Sequence, residues 1–272
     1  MNIIVYGLGI IGASLAAALK DAGHTVLGKN RSRGPVEYAL SHQMIDAEAS
    51  SYEGADVVFL ALPPDATIRE LQEGKFPDGC IVSDICGVKQ AVEEAVYSAP
   101  RNYRYVGTHP MAGKETSGIA SASRDLYRGK NLVITRSDRT DPAALELIRG
   151  LAKDAGFGRI VECSAKEHDE KIALTSQLAH IVSNAYGKSP QALDVIGFTG
   201  GSFQDMTRVG GVDELLWTDL YFYDREPLLH ELSSLIDRLS EYREALAQDD
   251  RETMRALLRE GRLAHDKFFS EK

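Results

Sequence analysis

The chain has 272 residues, 43% of them hydrophobic and 26% charged, with a formal net charge of −9. That is the length and composition of one large or two modest folded domains, and it excludes a disordered segment and a global basic field for nucleic acid or anionic lipid. Cys80, Cys86 and Cys163 are the three cysteines and form no CxxC pair, so reduced thiols, a cytoplasmic location, no metal and no signal peptide are expected. In chain order, apolar runs predict strands at Ile3–Tyr6, Thr25–Leu27, Asp56–Ala61, Ile81–Asp84, Tyr105–Gly107, Leu132–Thr135 and Arg159–Val161. Helical stretches such as Ala13–Ala22 and Ala143–Ala155 lie between them. Continuous apolar strands joined by helical crossovers predict an α/β fold, a Rossmann-like, mainly parallel sheet with helices on both faces, over residues 1–163.

The pattern changes at Ser164. Ser164-Ala165-Lys166-Glu167 reads as a capping box, in which a hydroxyl and a carboxylate satisfy free N–H groups at a helix start. Strand signals stop there, Leu228, Leu232, Leu235 and Leu239 recur at helical spacing, and Asp249-Asp250-Arg251-Glu252 reads as another helix start. An all-helical second domain over residues 164–272 follows. Residues 197–211, glycine-rich and carrying Asp205 and Arg208, are expected to form a long functional loop.

Gly7-Leu8-Gly9-Ile10-Ile11-Gly12 is a GxGxxG placed after a strand and at the start of a helix. Gly7 permits the tight turn, Gly9 lets backbone approach a pyrophosphate, and Gly12 allows close helix–strand packing. The phosphates would lie on the free N–H groups of the helix start. The second strand leads into Asn30-Arg31-Ser32-Arg33. An NAD site usually carries Asp or Glu there for the ribose 2′-hydroxyl; arginine instead pairs with a 2′-phosphate. The residues favour NADP, with NAD as the alternative and a solvated basic turn as the purely structural reading.

Gly107-Thr108-His109-Pro110-Met111-Ala112-Gly113-Lys114-Glu115-Thr116-Ser117-Gly118 follows a strand at the expected C-terminal edge of the sheet, where α/β folds bind ligands. A histidine there can take a proton near neutral pH, or can be structural. This HPMAGxExxG stretch resembles the signature of prephenate and arogenate dehydrogenases. Asp84-Ile85-Cys86-Gly87-Val88-Lys89, Ser176-Gln177-Leu178-Ala179-His180, Gly201–Val209 and Trp217-Thr218-Asp219 resemble further segments of that family, in the same order.

The resemblance implies NAD(P)-dependent oxidative decarboxylation of prephenate to 4-hydroxyphenylpyruvate in tyrosine biosynthesis. His109 would accept the ring-hydroxyl proton as hydride leaves, Glu115 would stand near the pocket, His180 would line it from the helical domain, and Arg208 would bind a substrate carboxylate. The helical domain is expected to bind substrate and to pair two chains as a homodimer. Arogenate, giving tyrosine directly, is the alternative substrate, and a cofactor sensor without chemistry the remote alternative. Many members carry serine where this chain has Gly87; Cys86 beside it is expected to be an inert thiol. Other two-domain dehydrogenases usually use a lysine on the first helix of the second domain, where Lys171 has a plausible helical position, but lack the HPMAGxExxG segment.

Overall fold

Strand β1 (Asn2–Tyr6) carries Ile3, Ile4 and Val5, all buried, the mark of a strand covered by helices on both faces. The computed structural model describes residues 1–270 except Lys114, Glu115, Ser117, Leu193 and Ile196; Glu115, singled out above, lies outside the described residues. Strands β2 (Thr25–Lys29), β3 (Ala47–Glu48), β4 (Val57–Leu60), β5 (Ile81–Asp84) and β6 (Arg104–Tyr105) join β1 in a six-stranded sheet of order β3-β2-β1-β4-β5-β6, parallel throughout. Helices α1 (Ile10–Asp21) and α2 (Arg33–Ser41) pack one core through Leu15, Leu19 and Val36, joined by Ile148 and Leu151 of α5 (Pro142–Asp154). On the other face α3 (Pro64–Glu73) and α4 (Gln90–Tyr97) bury Leu71, Val92 and Val96. The strand order reverses between β1 and β4, and ligands of open α/β sheets bind at such a switch point, beyond the strands' C-terminal ends.

The strand expected at Tyr105–Gly107 is in fact two. Tyr105 ends β6, while Gly107 opens β7 (Gly107–Pro110), which pairs antiparallel with β8 (Asn131–Thr135) in a separate three-stranded sheet completed by β9 (Arg159–Cys163). A Cβ on Gly107 would lie 2.4 Å from Thr135 Oγ1 and 2.9 Å from the Tyr105 hydroxyl, so the chain crosses between sheets where only glycine fits. Thr108 Oγ1 donates to the Asp84 carbonyl at 2.7 Å and meets Ser83 Oγ at 3.2 Å, which holds β7 beside β5.

Ser164 caps α6 (Ala165–Ile172): its Oγ accepts from the Glu167 N–H at 3.1 Å. A π-helical turn, Ala173–Gln177, connects α6 to α7 (Leu178–Gly187); such bulges occur often at functional sites. The loop expected at 197–211 contains a helix, α8 (Gly201–Thr207), whose Phe203 ring packs 5.8 Å from Tyr186 of α7; that packing holds a short glycine-led helix that propensity alone does not. Helix α9 (Glu214–Tyr223) follows.

The described chain divides into two compact units, Met1–Asp224 and Arg225–Lys272. The second is a pair of helices, α10 (Arg225–Ala247) and α11 (Arg251–Ser270), with Asp250 accepting from the Glu252 and Thr253 N–H groups and Tyr242 donating to the Leu257 carbonyl. Of the leucine stripe, Leu228 is buried and Leu239 is 57% exposed. No described helix is long and apolar enough to cross a membrane.

Candidate active site

The glycine loop has a shape that its own packing only partly explains. Gly7 has φ +101°, and a Cβ there would lie 2.1 Å from the Ala61 carbonyl oxygen; a Cβ on Gly12 would lie 1.9 Å from the Gly7 oxygen. Both positions are closed by backbone. Gly9, the N-cap of α1, has φ −81° and nothing within 4 Å of its Cβ position, so no protein atom excludes a side chain there. A small residue facing open space at a helix N-terminus, with no acidic residue in the first turn, fits a dinucleotide pyrophosphate lying against the N–H groups of Ile10, Ile11 and Gly12.

The segment after β2 is more committed than its sequence suggests. Asn30 Oδ1 accepts from the Leu8 N–H at 3.0 Å, and its Nδ2 donates to the Ser32 carbonyl and hydroxyl, each at 3.0 Å. Asn30 therefore pins the glycine loop to the end of β2. Arg33 opens α2 and is already paired with Glu37 at 2.8 Å, whereas Arg31 is exposed and makes no ion pair among the described residues. The basic turn thus offers one uncommitted guanidinium.

His109 stands inside β7, opposite Val133, not in a loop beyond a strand. Its position is set from β5, whose end turns over at Asp84. The Asp84 carboxylate is wholly buried and takes Lys89 Nζ, the Tyr105 hydroxyl at 2.6 Å and the Cys86 N–H at 2.9 Å. This turn brings Gly87 to the histidine: a Cβ there would lie 3.8 Å from His109 Nε2 and 3.4 Å from Leu220 Cδ2. Cys86 donates to the Leu62 carbonyl and to Thr67 Oγ1, and burial pushes its thiol up to about 12, which leaves it protonated and unreactive.

On the side away from Gly87, His109 Nδ1 lies 2.8 Å from His168 Nε2, and His168 Nδ1 lies 2.6 Å from Asp169 Oδ1. Asp169 is buried and also accepts the Lys89 N–H at 2.9 Å and the Gln90 N–H at 2.8 Å, at the start of α4. Burial, then His168 and Lys89, hold the His109 imidazole well below its ordinary value, so the neutral, proton-accepting form prevails at pH 7. His168 and Asp169 were missed in the sequence. An adjacent His–Asp pair in a capped helix was the available signal, but nothing local links it to a histidine 59 residues earlier.

Helix α9 covers the same edge. Leu220 faces Gly87, Trp217 one turn earlier packs against His180 with ring centroids 3.9 Å apart and the rings tilted by 35°, and Tyr223 is hydrogen-bonded to Asp65 in the first turn of α3. His180 Nδ1 is satisfied by the Ser176 carbonyl at 2.8 Å, leaving Nε2 as its second ring nitrogen for a ligand. Arg208 is exposed just past α8; Gly210 beyond it accepts from Asn184 Nδ2 at 2.9 Å, on the α7 face that carries His180. Lys171 is exposed and paired with Glu167.

A glycine loop at a sheet switch point, with a neutral histidine held at the same edge, defines a Rossmann-type oxidoreductase. Residues 15–162 match the family model for the prephenate dehydrogenase nucleotide-binding domain, and residues 164–260 that for the prephenate dehydrogenase dimerization domain. The chain belongs to the prephenate dehydrogenase family. It is 29% identical over 268 residues to prephenate dehydrogenase of Bacillus subtilis, covering 93% of this chain and 72% of that protein. It is 28% identical over 265 residues to cyclohexadienyl dehydrogenase of Zymomonas mobilis, covering 92% and 89%. The crystal structure of Synechocystis arogenate dehydrogenase superposes with a TM-score of 0.79 at 27% identity, covering 98% of this chain and all of that one.

Proposed function

We propose that this chain catalyses the NAD(P)-dependent oxidative decarboxylation of prephenate to 4-hydroxyphenylpyruvate. The observation that supports this most directly is His109, neutral, with Nε2 directed at the Gly87 turn beside the open glycine loop. His109 Nε2 takes the proton of the substrate's ring hydroxyl as the carbon bearing it becomes a carbonyl. A nicotinamide dinucleotide held on the Gly7–Gly12 loop would supply the acceptor for the hydride that leaves that carbon. The carboxylate on the quaternary ring carbon then leaves as CO₂, its bonding electrons enter the dienone, and the ring becomes aromatic. His180, beside Trp217, and Arg208 are assigned to substrate, Arg208 to a carboxylate through charge-assisted hydrogen bonds; Glu115 is assigned to the pocket by family resemblance.

The cofactor favoured by Arg31 is NADP, with NAD as the alternative. Arogenate is the second substrate reading, because relatives named for prephenate, cyclohexadienyl substrates and arogenate all match this chain. A nucleotide domain over 1–163, a substrate and dimerisation domain over 164–272, a homodimer and a cytoplasmic location complete the proposal. The exposed apolar side chains of α10 and α11 support the dimer.

Steady-state turnover of prephenate and arogenate, each with NAD⁺ and NADP⁺, tests the reading through the absorbance of the reduced nicotinamide. Turnover of neither substrate with either cofactor overturns it. His109→Asn is expected to lower kcat by roughly 10²–10⁴-fold, the usual contribution of a positioned general base, with KM within a few-fold.

A further inference from the structure

We infer that His168 and Asp169 are positioning residues which hold His109 in the one tautomer able to act as a base, with Nδ1 protonated and Nε2 bare. The inference rests on the assignment of His109 as the proton acceptor and is carried by the direction of hydrogen bonds through three buried or half-buried side chains. Asp169 receives the N–H groups of Lys89 and Gln90 and one ring nitrogen of His168. Backbone N–H groups can only donate, so the carboxylate accepts throughout, and His168 Nδ1 must carry the hydrogen it shares with Asp169. A neutral His168 then presents a lone pair at Nε2. The atom 2.8 Å away, His109 Nδ1, must supply a hydrogen. The remaining nitrogen of His109, Nε2, is left as a lone pair facing Gly87.

The arrangement extends the logic of a Ser–His–Asp triad by one imidazole. When His109 Nε2 takes the hydroxyl proton, the O–H bond breaks and an N–H bond forms, and the positive ring stays hydrogen-bonded through Nδ1 to His168. His168 in turn is held against the Asp169 carboxylate, so the charge that develops is met by one already in place, with no reorientation during the step. The other charged or titratable groups facing the relay are Lys89 and Asp84 from the β5–α4 turn, Asp224 at the end of α9 and Cys163 at the end of β9. The start of α4 serves twice: its first N–H groups fix the carboxylate, and Lys89 anchors the turn that carries Gly87.

Two measurements on the full chain separate this inference from the functional reading. Nitrogen-15 spectra of histidine-labelled protein, without ligand, should show His109 protonated at Nδ1 and bare at Nε2, with His168 protonated at Nδ1. Lys89 N–H and His168 Nδ1 share Oδ1 of Asp169 while Gln90 N–H takes Oδ2, so the uncharged amide of Asp169→Asn must set its NH₂ against one of these donors. The hold on the His168 tautomer is then lost, and a population of His109 protonated at Nε2 should appear in the spectra. With whichever substrate the wild type turns over, Asp169→Asn is expected to lower kcat by about 10²–10⁴-fold with KM within a few-fold. His168→Gln, whose carbonyl can accept from His109 Nδ1, should recover part of the rate that His168→Leu loses. A wild-type His109 protonated at Nε2, or equal rates for the Gln and Leu variants, overturns the relay even if Asp169→Asn fails to fold. A wild type inactive on both substrates instead overturns the functional reading, and the nitrogen spectra still decide the relay.

Discussion

At single residues, the glycines of the dinucleotide loop are required for different reasons, and the difference is measurable. Gly12→Ala places a Cβ 1.9 Å from a backbone oxygen, so helix α1 must shift and stability should fall by about 1–3 kcal/mol. Gly9→Ala meets no protein atom; its thermal midpoint should match the wild type while dinucleotide affinity, followed by fluorescence titration, drops at least tenfold. Wild-type affinity in Gly9→Ala would mean that no pyrophosphate approaches that point. Beyond β2, Arg33 has Glu37 as an exposed partner, so Arg31, with no ion pair among the described residues, should contribute most to discriminating the cofactors. Arg31→Ala is expected to raise KM for NADP⁺ roughly tenfold or more, from the strength of a hydrogen bond to a charged group. The effect should shrink with added salt and leave NAD⁺ unchanged. Equal effects on both cofactors would remove Arg31 from the 2′-phosphate site.

Among the elements, α9 carries a cost that depends on pH. Asp224 at its C-terminal end is buried, one carboxylate oxygen has no hydrogen-bond partner, and burial, then Asp169, push its carboxyl up to about 8. Unfolded, it titrates near 3.8. Between about pH 4 and pH 8 the folded chain therefore binds the extra proton, and stability falls as pH rises through that window. Asp224→Asn should flatten the dependence of Tm on pH there and exceed the wild-type Tm at pH 8; an unchanged slope would assign the titration elsewhere. The elements were unequally legible. β1, β4 and β5 were read correctly because strands covered on both faces show as unbroken apolar runs. The division between β6 and β7 was not, since Val106 is apolar whichever sheet its neighbours join. Helix α8 was read as loop because a short, polar run led by Gly201 carries little helical signal of its own, whereas in the fold its Phe203 packs against Tyr186.

For the whole molecule, the helices of residues 225–270 leave large apolar side chains in water. Leu239, Leu246, Leu258 and Leu263 are each more than half exposed, and large apolar side chains exposed in such number are what an interaction surface leaves in water. With the chain proposed as a homodimer, Leu246→Asp combined with Leu258→Asp should convert it to a monomer in light scattering, because charges cannot be buried there unpaired. A variant that stays dimeric would place the interface on other residues.

What the sequence determined by itself was everything carried by near neighbours: the buried strands, the glycine loop after β1, the Ser164 cap, and His109 as the residue to watch. Their signals are periodicity, capping chemistry and backbone freedom, all properties of a short stretch of chain. The tertiary structure alone decided that His109 is backed by His168 and Asp169, that Asp84 and Lys89 bury their charges under Gly87, and that Asn30 is occupied by the Leu8 N–H. Each of these is a hydrogen bond or ion pair whose partners the fold brings within about 3 Å. A contact of that range has no strength until the separate strands and helices have packed.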